Sequence, residues 1–262
     1  MDFLIFQFVK LRNNSCILPP EFNVSLIMLR IFTTVLIALF FVGNVYSQGS
    51  RDHITVGYGL GMIYADNAGI YKSFDFKMLP AFTVAYSKEL SEKFDFRTSF
   101  GGQFINSGEF RPINQPIVVE WGNNGQAYYF DGNAFFLDVM PVLQLNPNKP
   151  GRAGEPVNLY MGLGVGALYS QRAQRVLRDG VLENGIFVQG FVERSNQTLA
   201  AAYVPFKFGL STNFEYEWDM GFEINVMTIV SSDIDGNNMV NKLFYPDVMV
   251  NMQLMVRRYL RR

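Results

Sequence analysis

Few side chains in this sequence have both the type and the spacing for chemistry. His53 is the sole histidine. A hydrolase or acyltransferase sets such a base beside a nucleophile. No serine or cysteine constellation accompanies His53, so no catalytic residue is assigned and the chain is read as non-enzymatic. Asp233-x-Asp235-Gly236-Asn237 offers the oxygen ligands that calcium prefers, but its spacing departs from the EF-hand pattern. The expected outcome is an Asp-Gly turn with solvated carboxylates. Gly162, Gly164 and Gly166 alternate along one strand face, and no helix pattern follows them as it would follow a phosphate loop. Cys16 is the only cysteine, so an internal disulfide is impossible. No cofactor and no metal is expected.

Six charged residues form a different set: Asp95, Arg97, Asp138, Lys207, Glu223 and Arg257. Each lies in a run where apolar and polar residues alternate, and each is on the polar side. Phe94 to Phe104 shows the pattern most clearly. Phe94, Phe96, Phe100 and Phe104 share one parity; Asp95, Arg97, Ser99 and Gln103 share the other. A strand sends successive side chains to opposite faces, so this segment has one aromatic and one charged face.

Eight such runs are expected: His53–Tyr64, Leu79–Ser87, Phe94–Phe104, Ala134–Leu145, Val157–Tyr169, Leu199–Ser211, Glu217–Val230 and Tyr245–Tyr259. They run to about 9–14 residues. A tilted strand crosses a bilayer in about 9–11 residues, whereas strands of soluble domains are nearer 5–6. Their connections alternate long and short, as the external loops and periplasmic turns of outer-membrane barrels do. The predicted fold is therefore all-β, an eight-stranded antiparallel up-and-down transmembrane β-barrel. Its apolar faces look to lipid, and the six charges look into the lumen. An eight-stranded interior is just wide enough for side chains to fill. The six are thus expected as a salt-bridged structural cluster, with a narrow proton or ion path as the alternative.

Two long connections, 107–133 and 170–198, carry the remaining candidates. The first holds the turn signal Gly122-Asn123-Asn124-Gly125 and is expected to form a hairpin from Ile117 to Phe130. Its Val119, Trp121, Tyr128, Tyr129 and Phe130 suit a sticky tip or an interfacial girdle. The second holds Asp179-Gly180 and Asn184-Gly185, again hairpin signals. Its Arg172, Arg175 and Arg178 suit lipopolysaccharide phosphates or a solvated basic edge. Expected partners are outer-membrane lipid and lipopolysaccharide, with envelope or secretion proteins through these two loops. Nucleic acid is not among them, because from Gln48 onward 19 basic residues face 21 acidic ones.

The N-terminal region reads as a leader. Arg30 precedes an apolar run from Ile31 to Tyr46, ending at Ser47. This predicts a signal peptide over 28–47, cleaved near Ser47, and a mature barrel domain over 48–262. Residues 1–27 then read as a non-native upstream extension before the Met28 start.

The leader end Tyr46-Ser47-Gln48, the strand Phe136-Leu137-Asp138-Val139-Met140-Pro141, the Tyr160-x-Gly162-x-Gly164-x-Gly166 strand and the closing strand together resemble the small outer-membrane β-barrel domain family common in Bacteroidetes, which shares the OmpA-type transmembrane architecture. The resemblance covers roughly Asp52 to the end. It implies location in the cell outer membrane of a Gram-negative cell and a structural or binding role through external loops. Some family members resemble components of secretion or envelope machinery. Such barrels often end on an aromatic residue; here Leu260-Arg261-Arg262 follow Tyr259.

Overall fold

The computed structural model describes residues 52–70, 73–147, 157–212, 218–239 and 242–260. The upstream extension, the leader and its cleavage site lie outside the described residues, as do Arg261 and Arg262.

The sequence alternation becomes strands β1 (His53–Tyr64), β2 (Leu79–Glu89), β3 (Phe94–Asn106), β4 (Ala127–Gln144), β5 (Val157–Leu163), β6 (Val165–Glu183), β7 (Ile186–Thr212), β8 (Trp218–Ile229) and β9 (Val248–Tyr259), with one helix, α1 (Pro116–Asn123). Consecutive strands pair antiparallel except β5 with β6, which both pair with β4 and with β7, and β9 returns to pair with β1. β5 and β6 keep a single register against β4 and against β7. Between them the Gly164 amide still donates to the Pro205 carbonyl at 3.1 Å. The two are therefore one strand of the wall, and the ring has eight strands. Gly164 is needed at that point: a Cβ there would lie 2.2 Å from the Val139 carbonyl oxygen.

Closure has a measurable stagger. Stepping across the ladder from His53 leads through Ser87, Arg97, Met140, Gly164, Pro205, Met227 and Met249 to Ile63, ten residues further along β1. Strand number, stagger and tilt are linked in a barrel, and this combination tilts the strands on the order of 40°.

The outer surface is apolar. Ile54, Val56, Tyr58 and Leu60 of β1 are exposed, as are Phe82, Val84 and Tyr86 of β2, Phe94, Phe100 and Phe104 of β3, and Val204, Phe206, Phe208 and Leu210 of β7. The opposite parity is buried and largely polar: Thr55, Thr83, Ser87, Asp95, Arg97, Ser99, Lys207 and Glu223 among others. This is the arrangement of a soluble sheet turned inside out.

At the edge that carries the long connections, called here the upper edge, β3, β4, β6 and β7 exceed their expected ends, whereas β9 begins at Val248 rather than Tyr245. β4 begins at Ala127 rather than Ala134, and β6 and β7 continue as a hairpin to the Asn184-Gly185 turn. The hairpin expected from Ile117 to Phe130 is not formed. Pro116 opens α1 instead, at the position where its missing N–H costs nothing, and Ala127–Phe130 join β4. Asn124-Gly125 ends the helix, with Gly125 at φ 74°.

Candidate functional site

The inward faces of five of the eight wall strands bring the six sequence-predicted charges into one lumen. Arg97 on β3 and Glu223 on β8 stand four strands apart in the ring of eight, on opposite walls. Their side chains meet across the lumen: Arg97 Nη1 lies 2.5 Å from Glu223 Oε2, and Nη2 lies 3.4 Å from Oε1. The Tyr160 hydroxyl donates to Glu223 Oε2 at 2.8 Å. Tyr160 is held flat against the wall because it covers Gly209, where a Cβ would meet its ring at 2.3 Å.

A second group interlocks with the first. Lys207 Nζ donates to Ser99 Oγ at 2.7 Å and to Asp138 Oδ1 at 3.0 Å. The Tyr203 hydroxyl donates to Asp138 Oδ2 at 2.9 Å. Asp95 sits lower, where Gln144 Nε2 donates to it at 2.5 Å and Asn158 extends the chain to Gln144. Arg257 is separate from the Arg97–Glu223 pair. It donates to Ser211 at 3.2 Å, lies 5.3 Å from the Tyr160 ring centre and is opposite Asp219 in the ladder. All six are buried. Buried charges are tolerated when paired and hydrogen-bonded: Arg97–Glu223 pairs facing strands, Lys207–Asp138 pairs strands two apart, and Asp95 and Arg257 are held by hydrogen bonds.

Above the charges the lumen changes character. Ile63, Ile105, Phe136, Leu168, Tyr203, Met227, Ile229 and Met249 form a buried apolar layer near the upper strand ends, joined by Ile234 from the β8–β9 connection. That connection folds over the mouth. Asn67 in the β1–β2 connection donates its amide to Asp235 Oδ2 at 2.9 Å and its side chain to the Ala127 carbonyl at 2.9 Å. Lys242 lies between Asp66, at 3.0 Å, and Asp247, which accepts a hydrogen bond from it. Asp247 also accepts the Ile234 amide at 2.9 Å.

Several expectations about the loops are corrected here. The Asp233–Asn237 segment is not a turn of solvated carboxylates. Asp235 is fully buried and accepts the Asn67 and Asn237 amides, while Asp233 alone stays half-exposed, 3.6 Å from Arg172. Among the described residues no grouping of acidic, histidine or cysteine side chains is arranged to hold a metal ion. Arg172 is not on a basic outer edge either. It points inward, buried, and donates to the Ile234 carbonyl at 3.3 Å. Trp121, Phe130 and Val119 are buried, so they make no exposed tip. Val118 and Val119 of α1 pack against Leu177 of β6, with Tyr128, Leu182 and Phe187 around them. Sequence reasoning missed the mouth cluster because its residues come from connections without strand periodicity. The repeated Asp-Asn chemistry of Asp66-Asn67 and Asp235-Asn237 was its one trace. His53 is buried at the lower edge with its ring 5.5 Å from that of Tyr259.

No protein-family model matches the chain, and no curated protein matches it. Among solved structures it is similar to Neisserial surface protein A (10% identity, 81% of this chain and 100% of that one, TM-score 0.44). It is also similar to Ail, the attachment invasion locus protein of Yersinia pestis (15%, 81% and 99%, TM-score 0.41). A third is the outer membrane protein OprG from Pseudomonas aeruginosa (8%, 82% and 99%, TM-score 0.38). The eight-stranded closed barrel itself is established by this chain's own register, which returns β9 to β1.

Proposed function

We propose that this chain is a non-enzymatic outer-membrane β-barrel whose lumen is plugged by its own side chains, and which acts as a structural element or binding platform through its upper edge. The observation that carries the proposal is the inversion of polarity. A charged pair spans the lumen from Arg97 to Glu223 while Phe82, Phe100, Phe206 and their neighbours face outward. In water that surface would aggregate. In a bilayer it is the required surface, because closure satisfies every wall amide without solvent. The leader over 28–47, cleaved near Ser47, would deliver the chain to the cell outer membrane. The upper edge then faces outward, with the β6–β7 hairpin as its most projecting part and envelope or secretion proteins as its candidate partners.

Fractionation combined with gel electrophoresis tests this directly. The protein is expected in the outer-membrane fraction as a band whose migration changes on boiling. A soluble fraction, or migration indifferent to heating, would refute the membrane assignment. Reconstituted in planar bilayers it is expected to be silent. Steady conductance abolished by Glu223→Gln or Lys207→Met would favour the alternative of a narrow ion path.

A further inference from the structure

Outward-facing rows of β4, β6 and β7 record the passage from lipid to water. Phe135, Tyr169 and Ala200 form the top row of the apolar belt. Asn133, Gln171 and Thr198 form the next row, then Asp131, Ala173 and Asn196, and above them Tyr129, Arg175 and Arg194. Arg175 and Arg194 are therefore direct cross-strand partners. Like charges in that relation destabilise a strand pair. Neither takes part in the salt bridges formed among the described residues. Elsewhere on the same hairpin the outcome differs, since Arg178 is matched by Glu193 at 2.6 Å. Arg175 is oriented by the Tyr129 ring, 4.3 Å from its guanidinium. The two arginines border a surface concavity of about 330 Å³ with Asp131, Ala173, Ser195 and Asn196. Asp131 is the one acidic group in that lining, which leaves it net positive.

We infer that this concavity binds the phosphorylated saccharide head group of an outer-leaflet glycolipid. It rests on the outer-membrane reading above. Two guanidinium groups facing one space are suited to a phosphate, which accepts paired charge-assisted hydrogen bonds. Asn196 and Ser195 in the same lining supply donors and acceptors for sugar hydroxyls. Height selects the lipid class. Six residues separate Tyr169 from Arg175, which at the strand rise and tilt places the arginines about 15 Å above the aromatic row. The head-group layer of a bilayer adds only about 5–8 Å on each side. A glycerophospholipid phosphate stays below the site, and a phosphate carried on sugars reaches it. The bound phosphate removes the repulsion between Arg175 and Arg194.

The test measures binding of phosphorylated lipopolysaccharide to the full-length protein in detergent micelles, alongside the same glycolipid stripped of phosphate and inorganic phosphate alone. Removing the phosphate, or introducing R175Q together with R194Q, is expected to weaken binding about tenfold or more, while K88Q at the lower edge leaves it unchanged. R194Q alone, on an exposed and unstacked side chain, carries the same test should the double variant fail to fold. Equal binding of the dephosphorylated form, or unaltered affinity in the variants, would overturn the site. Displacement of the glycolipid by inorganic phosphate at matching concentration would overturn the lipid as the source of the anion. Heat-dependent migration recorded for each protein separates the two levels of failure. A wild-type band that does not shift refutes the barrel reading and the site with it, whereas a shifting band without phosphate dependence refutes the site alone.

Discussion

Lys207 is fully buried, and its ammonium donates to Ser99 and Asp138. Lys207→Met is expected to leave Asp138 buried with only the Tyr203 hydroxyl, and to destabilise the barrel by about 3–5 kcal/mol. Adding Asp138→Leu should recover most of that loss, since an uncompensated charge costs more than an absent pair. Urea midpoints of the inserted protein, followed by heat-dependent migration, read both values. The mouth cluster responds to pH instead. Burial, reinforced by the Asp247 carboxylate, holds Asp235 well above the ordinary carboxylate range, and burial lifts Asp247 to about 6 against the pull of Lys242. Both therefore bind protons more tightly in the folded mouth than in an open one. Their stabilising contribution is full below the usual carboxylate value near 4 and is lost as pH rises through about 6 and beyond. Hydrogen-exchange protection at the Asn67, Ile234 and Asn237 amides should fall between pH 5 and pH 8, after correction for intrinsic rates. Asp235→Asn should flatten that fall; protection independent of pH in the unaltered protein would contradict the assignment. These residue-level features differ in legibility. Alternation alone places Asp138 and Lys207 on an inward face, but nothing local in the sequence tells which cation meets which carboxylate across a ring.

At the scale of elements, the β6–β7 hairpin is more than a loop. It continues two wall strands past the ends of β8, with α1 packed on its β6 side. Its support is the small cluster of Val118, Val119 and Leu177, independent of the lumen layers. Leu177→Ala should cost about 2–5 kcal/mol of local stability. The expected result is faster proteolytic cutting within 177–192 with the heat-dependent band unchanged. Loss of that band would show the hairpin and the barrel to be one cooperative unit. The strands of the wall were legible because a period of two persists along them. α1 was not, because eight residues with Pro116 at the start and glycine beyond resemble a hairpin turn as much as a helix. Its burial against Leu177 decides the matter, and that contact joins residues far apart in sequence. The break at Gly164 was invisible for a similar reason, since the clash it avoids involves the Val139 carbonyl of a neighbouring strand.

For the molecule as a whole, the two faces of each strand have exchanged their usual roles. Phe100 is about half-exposed near mid-height of β3, and Ser99 beside it is buried under Lys207. Phe100→Arg should cost about 2–4 kcal/mol in a bilayer and lower the yield of inserted protein. Ser99→Ala should insert normally and show its smaller loss only in denaturant. Equal insertion of both would contradict the outward assignment of the phenylalanines. The overall architecture was the most legible level, because length, parity and the alternation of connections all depend on one geometry. The covering of the mouth by the β8–β9 connection was not, since it depends on pairs such as Asn67 with Asp235. The seam between β1 and β9 has a kinetic meaning. It joins the strands most distant in sequence, from His53 opposite Tyr259 to Tyr64 opposite Val248. Until it forms, both strands present a bare edge, and the Arg97–Glu223 pair lacks the enclosure that removes it from water. No partial set of strands is a smaller version of the barrel. Assembly must therefore wait for the last strand, and an accessory that shields those two edges in the meantime would act on the slowest and most exposed step of the chain's history.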